Sequence, residues 1–125
     1  MAHFKVKTEK AIRKIIEREK YVVVVHTKST CPVCDVFVPD VLVPIFEDEK
    51  YQHVSVYEIT EPLTFPTGSH PVTYFFREGL CVQHPAGAAP DNVVRNLMDT
   101  MYCGKLPPLM EINTTPPPKP GEFNG

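Results

Sequence analysis

The run YVVVVHT at residues 21–27 is the feature that most restricts the possible folds of this chain. It is short, rich in β-branched side chains and apolar at successive positions, so both of its faces must be buried. A strand of this kind lies in the centre of a sheet that helices cover on both sides. The sequence therefore predicts an α/β domain built around this strand.

Other segments supply the helices and strands that would surround it. Thr8 is a suitable N-cap for a helix at 9–20, whose isoleucines recur on one face. Glu78 and Gly79 lie between two apolar runs and are typical of a tight turn, which indicates an antiparallel hairpin. The remaining predicted elements are strands at 4–7 and 53–59, the hairpin strands within 72–84, and a helix at 90–102. We therefore expect a mixed sheet with the hairpin at one edge.

Two segments are harder to assign. Residues 35–50 contain Pro39 and Pro44, each of which removes a hydrogen bond from a helix, but the length of the segment favours a helix with a kink at Pro39. The crossover at 60–70 contains two prolines and a glycine, so we expect at most one helical turn there.

The chain is expected to contain one domain and a tail. With 125 residues, 42% of them hydrophobic, it can bury a core without disulfides. The last part of the chain is rich in proline and has no periodic apolar face, which is typical of an extended or disordered segment. We predict a domain at residues 1–104 and a tail at 105–125.

Charge and cysteine content narrow the classes of function. The formal net charge of −2 favours neither nucleic acid nor an anionic membrane as a partner. No run approaches the ~20 apolar residues that span a bilayer, and the start lacks the apolar core of a signal peptide, so we expect a cytoplasmic protein. In that reducing compartment, four cysteines indicate redox chemistry or metal binding rather than a static disulfide framework.

Cys31 and Cys34 are the candidate catalytic residues. They follow the buried strand directly, and Pro32 is favoured at the first position of a helix, which would place Cys31 at the helix N-terminus. The unpaired N–H groups and the helix dipole there favour a thiolate, the form that attacks disulfides. Cys34, one turn along and deeper, would attack the mixed disulfide that Cys31 forms.

Other interpretations of the pair remain open. The Cys-X-X-Cys spacing also provides half of a tetrahedral zinc site, or it can arise by chance. Zinc would need two further ligands, and none of the candidates forms a second close pair: they are His70, Cys81, His84 and Cys103. Cys81 and Cys103 can equally be buried apolar residues, a second disulfide or a regulatory thiol.

The chain resembles the thioredoxin family over about residues 3–103. The segment VVVVHTKSTCPVC matches the family's strand, loop and dithiol, and Pro39 matches the proline that kinks its active-site helix. SHPVTYFFREG resembles the cis-proline segment, which makes Pro71 the candidate cis-proline. Gly79 and Gly87 fall at the family's spacing for the hairpin turn and for the glycine before the last helix. The resemblance implies a thioredoxin-like fold.

The resemblance also implies a binding groove and a set of partners. In this family three loops at the dithiol bind an extended substrate segment through backbone hydrogen bonds. The residues that would line such a groove here are Thr30, Pro32, Val33, His70, Pro71, Gly87 and Ala88. The expected partners are proteins that contain disulfides and a reductase or glutathione as electron donor. No bound organic cofactor, metal, nucleic acid or membrane is expected, and the protein is expected to be a monomer.

Several positions depart from the family pattern. Thr30 replaces the tryptophan before the first cysteine, and Val25 stands where the family buries an acid that accepts the proton of the second cysteine. We expect the third helix to be shortened, within the crossover at 60–70. His70, beside the candidate cis-proline, can stabilise the Cys31 thiolate, shuttle a proton, bind a metal or be an ordinary loop histidine.

We therefore predict a protein-disulfide oxidoreductase. The Cys-Pro-X-Cys order leaves a glutaredoxin-like, glutathione-linked dithiol as one alternative. A module on the same fold that binds zinc or a partner without turnover is the other.

Overall fold

The computed structural model describes residues 3–6, 8–65, 70–83 and 85–103. The predicted tail at 105–125, together with His84, lies outside the described residues. Within them are five strands: β1 (His3–Val6), β2 (Tyr21–His26), β3 (Ser55–Ile59), β4 (Val72–Arg77) and β5 (Leu80–Gln83). The α-helices are α1 (Glu9–Arg18), α2 (Pro32–Phe37), α3 (Val43–Phe46) and α4 (Asp91–Tyr102).

The strands form one mixed sheet with the order β1-β3-β2-β4-β5. β2 is central, as predicted: it pairs in parallel with β3 and antiparallel with β4. The edge hairpin is also confirmed, since β4 and β5 are antiparallel and joined at Glu78 and Gly79, which have φ angles of 53° and 85°. Positive φ at both residues is the geometry that suits a two-residue hairpin turn.

Alternate residues of β2 reach two separate cores. Val22 and Val24 pack with α1, whose Ile12 and Ile16 are fully buried, and burial of such a side chain contributes about 1.5–3 kcal/mol. On the opposite face, Val23 and Val25 pack with the helices that follow the cysteines and with α4. Helices therefore cover both faces of the sheet, as the apolar run of β2 predicts.

Thr8 caps α1 as predicted, because its hydroxyl accepts a hydrogen bond from the N–H of Ala11. Between α2 and α3 lies a π-helical turn at Val38–Leu42, which contains Pro39. The N–H of Val43 donates to the carbonyl of Val38, five residues back. A wider turn accommodates a proline that has no N–H to give, so the irregularity predicted at Pro39 is a π-helical turn.

Helix boundaries differ slightly from the sequence prediction. The helical stretch after the cysteines begins at Pro32 and ends at Phe46, before the acidic residues, and a 3₁₀ turn follows at Glu49–Tyr51. The described part of the crossover, residues 60–65 and 70, contains no helix, which agrees with a shortened third helix. Among the described residues, no helix has the length and apolar character needed to cross a membrane.

Candidate active site

Cys31 occupies the N-cap position of α2, where the sequence places it. Its backbone is extended, with φ −128° and ψ 94°, and Pro32 begins the helix. The N–H of Cys34 donates to Cys31 Sγ at 3.1 Å. Sulfur thus takes the place that a Ser, Thr or Asp oxygen usually holds at an N-cap. An amide that already points at this sulfur would stabilise it as a thiolate.

The two cysteines are joined by a disulfide in this structure. Their Cα atoms are 5.2 Å apart, within the usual range for such a bond. Cys31 is 8% exposed and Cys34 is 4% exposed, so Cys34 is the deeper of the two, as predicted. The geometry therefore suits a disulfide, with Cys31 as the sulfur nearer to solvent.

A loop containing a cis peptide bond lies against the dithiol. The bond between His70 and Pro71 is cis, and the carbonyl oxygen of His70 is 3.9 Å from Cys31 Sγ. The N–H of Gly87 donates to the carbonyl of Pro71 at 2.7 Å. Gly87 has a φ of 81°, a conformation that strongly favours glycine. The structure therefore brings the dithiol, cis-proline and glycine loops together.

An apolar groove of about 480 Å³ runs beside the dithiol. Three of the predicted binding residues, Pro32, Val33 and Ala88, line it. Thr30, His70, Pro71 and Gly87 do not line it: Thr30 is exposed, Pro71 is buried, and the other two are partly buried. The groove also includes residues that sequence reasoning missed, namely Val36, Phe37, Val41, Ala89 and Pro90.

Two groove residues are unusually exposed for their type. Val33 is 50% exposed and Val36 is 57% exposed; Val93, on α4, is 41% exposed but does not line the groove. A cluster of exposed aliphatic side chains beside a reactive site is typical of an interaction surface. The helical spacing of Val33 and Val36 was the available sequence signal.

On the other side of α2, a polar cavity of about 360 Å³ reaches Cys34. Its lining includes Lys5, Thr27 and Glu58, and the Thr27 hydroxyl lies 3.2 Å from Glu58 Oε2. Val25 of β2 belongs to the apolar core, so β2 supplies no acidic side chain at this position near Cys34. Sequence reasoning missed Glu58, although its alternation with Val56 in the strand was a usable signal.

His70 is in contact with a second, deeper histidine. The rings of His26 and His70 meet edge to face with centroids 4.6 Å apart, and His26 is 4% exposed. Nε2 of His26 lies 3.0 Å from the carbonyl of Glu61. Burial, followed by repulsion from His70, lowers the pKa of His26 to about 4. Burial, followed by repulsion from Lys28, also lowers the pKa of His70. Both imidazoles therefore favour the neutral form at neutral pH.

The remaining cysteines lie apart from this site. Cys81 packs in the core with α1, where burial raises the pKa of its thiol to about 12. Cys103 follows α4, with its sulfur 3.7 Å from the carbonyl of Lys50. Burial raises its thiol pKa, and the Asp99 charge adds to this. In the described part of the chain, no three Cys, His, Asp or Glu side chains are grouped as metal ligands.

The strand order β1-β3-β2-β4-β5, with helices on both faces of the sheet, is that of the thioredoxin fold. Thioredoxin f2 from Chlamydomonas reinhardtii matches with a TM-score of 0.67 and 16% identity, over 83% of this chain and 100% of that chain. Thioredoxin O1 from Arabidopsis thaliana, in the oxidized state, matches with a TM-score of 0.66 and 19% identity, over 79% of this chain and 96% of that chain. A mutant thioredoxin from Halobacterium salinarum matches with a TM-score of 0.64 and 14% identity, over 84% of this chain and 94% of that chain.

No protein-family model and no curated protein matches the chain. Identities of 14–19% to these structures establish the fold alone. The fold and the cysteine pair together suggest thiol–disulfide exchange.

Proposed function

We propose that this chain is a thiol–disulfide oxidoreductase that acts on disulfides of other proteins. The observation that carries the proposal is the hydrogen bond from the Cys34 N–H to Cys31 Sγ. It supports Cys31 as the nucleophile, because a thiolate gains more from such a donor than a thiol does.

In the reducing direction, the Cys31 thiolate attacks one sulfur of a partner disulfide. A Cys31–partner disulfide forms, and the other partner sulfur leaves with the electron pair of the broken bond. Cys34 then loses its proton and attacks Cys31 Sγ, which releases the second partner sulfur. The chain ends as the Cys31–Cys34 disulfide, and the partner has gained two electrons and two protons. A reductase or glutathione would restore the dithiol.

The predicted groove residues would bind the partner protein on two sides of the dithiol. The apolar groove lined by Pro32, Val33 and Ala88 would hold an aliphatic side chain of the partner next to the attacked disulfide. Thr30, His70, Pro71 and Gly87 would border the partner's backbone closer to the sulfur. An apolar groove suits a protein segment better than glutathione, which carries charge at both ends. A monomeric state and a cytoplasmic location stay predictions.

Reduction of a protein disulfide by dithiothreitol, with and without the chain, tests the proposal. We expect clear acceleration, its loss in Cys31→Ser, and stable mixed disulfides with partner proteins in Cys34→Ser. Cys103→Ser is the matched control, because it removes a thiol outside the dithiol and should keep full activity.

Two outcomes would contradict the proposal. One is the absence of acceleration by a folded protein with both thiols free. The other is equal activity of Cys31→Ser and Cys103→Ser. Partner binding that survives Cys31→Ser without any turnover would favour a binding module instead.

A further inference from the structure

The polar cavity beside Cys34 contains a carboxylate whose position follows from the sheet. Glu58 pairs in register with Lys5 of β1 and with Val25 of β2. It stands two residues after Val56, so it faces the same side of the sheet as the core beneath the active-site helix. Thr27, two residues after Val25, faces that side as well and holds Glu58 Oε2 at 3.2 Å. The register therefore directs Glu58 beneath α2.

The chemistry of exchange requires a proton acceptor at Cys34. Cys34 is 4% exposed, so bulk water reaches its sulfur poorly. An ordinary thiol has a pKa of about 8.5 and is mostly protonated at neutral pH, whereas only the thiolate attacks. The cavity that Cys34 shares with Glu58 has a volume of about 360 Å³, and each water takes about 30 Å³, so waters can bridge the two groups.

We propose that Glu58 accepts the proton of Cys34 through cavity water during the resolving step. This inference rests on the proposed function. The proton passes from Cys34 Sγ to the Glu58 carboxylate, and the freed electron pair forms the bond to Cys31 Sγ. The bond between Cys31 and the partner sulfur breaks, and its electron pair leaves with the partner thiolate. No other reactant is needed.

Other charged groups face the same cavity. Lys5 on β1 and Lys28 before the dithiol contribute positive charge, and Asp35 on α2 contributes a second carboxylate. Asp35 is exposed, whereas Glu58 is partly buried and held by Thr27. A carboxylate fixed inside the cavity is the better placed acceptor. The comparison also supplies a matched control, Asp35→Asn.

A coloured probe separates the two steps of exchange. Reduced protein reacts with a bis(nitrobenzoate) disulfide: attack by Cys31 releases the first nitrobenzoate thiolate, and resolution by Cys34 releases the second. This thiolate leaves without a proton, so the pH profile of the second phase reports deprotonation of Cys34.

In Glu58→Gln we expect the second phase to slow at least about tenfold at neutral pH, while the first phase is unchanged. Alkaline pH should restore its rate, because solvent then removes the Cys34 proton. Glu58→Asp should recover part of the rate, and Asp35→Asn should behave like the unmodified protein.

Three results would overturn the inference. A normal second phase in Glu58→Gln at every pH would show that Glu58 is not the proton acceptor. Equal slowing of both phases at every pH shows a structural effect, which the unfolding free energy would reveal independently. If the unmodified protein shows no first phase, the proposed function fails, and this inference fails with it.

Discussion

The two sides of helix α2 differ in chemistry. On the outer side, Val33 and Val36 leave an apolar groove open to solvent. On the inner side, the ends of β2 and β3 place Thr27 and Glu58 in a polar cavity that reaches Cys34. One short helix thus separates a surface suited to holding a partner from a set of groups suited to moving protons. Substitutions on the two sides should therefore affect different measurements.

The largest expected effect concerns stability and lies outside both sides of α2, at His26 against the ring of His70. The pKa of His26 is lowered from 6.5 to about 4. Between these pH values, this imidazole is protonated in the unfolded chain but stays neutral in the folded protein. Stability is therefore lost as the pH falls through this window, by about 3 kcal/mol at 1.36 kcal/mol per pKa unit. Chemical denaturation at several pH values should show His26→Leu losing correspondingly less than the unmodified protein.

His70→Gln provides the control for this prediction. Removing the neighbouring charge should raise the pKa of His26 and shrink the loss, although less than His26→Leu does. Identical pH profiles in all three proteins would show that this histidine pair does not control acid stability.

The next effect concerns the apolar side. Val36→Asp places a charge where a partner's apolar side chain would be buried, and an unpaired buried charge is strongly unfavourable. We expect kcat/KM for a protein disulfide to fall about tenfold to hundredfold, which corresponds to about 1.4–2.8 kcal/mol. The reaction with the small nitrobenzoate disulfide should change less than about twofold. Steady-state kinetics with both substrates measures the difference.

Val93→Asp is the matched control, because Val93 is an exposed valine outside the groove. Equal losses in the two variants, or a parallel loss with the small disulfide, would mean that the groove does not bind partners.

The smallest effect concerns the support of Glu58. Thr27→Val removes a hydroxyl that lies near Glu58 and also 3.1 Å from the Thr60 hydroxyl. Loss of one such hydrogen bond is worth about 1 kcal/mol, so the second phase with the coloured disulfide should slow about fivefold. Protein-disulfide binding, measured by KM, should stay unchanged. A change in KM without a change in the second phase would contradict the separation of the two sides.

The sequence was most informative where one residue type has one physical consequence. The continuous apolar run of β2 predicted its central position, and Pro32 predicted the helix start that makes Cys31 an N-cap. Glu78 and Gly79 predicted the hairpin turn. In each case, local backbone preference and burial point to the same structure.

The sequence was less informative where contacts join distant segments. The meeting of His26 with His70 depends on the sheet order and on the path of the 60–70 crossover. Glu58 reaches the Cys34 cavity only because β3 lies between β1 and β2 in a particular register. A proline at 39 predicted an irregular helix, but not that the hydrogen bonds would shift to a π-helical turn.

The hydrogen bond from the Cys34 amide to Cys31 Sγ also has a thermodynamic consequence for the dithiol couple. It favours the reduced form when Cys31 is a thiolate, because a negative sulfur is a stronger acceptor than a disulfide sulfur. A bond of about 1.5–3 kcal/mol to a charged group corresponds to about 30–65 mV for a two-electron couple. This backbone amide therefore makes the couple more oxidising, and side-chain substitution elsewhere leaves that contribution in place.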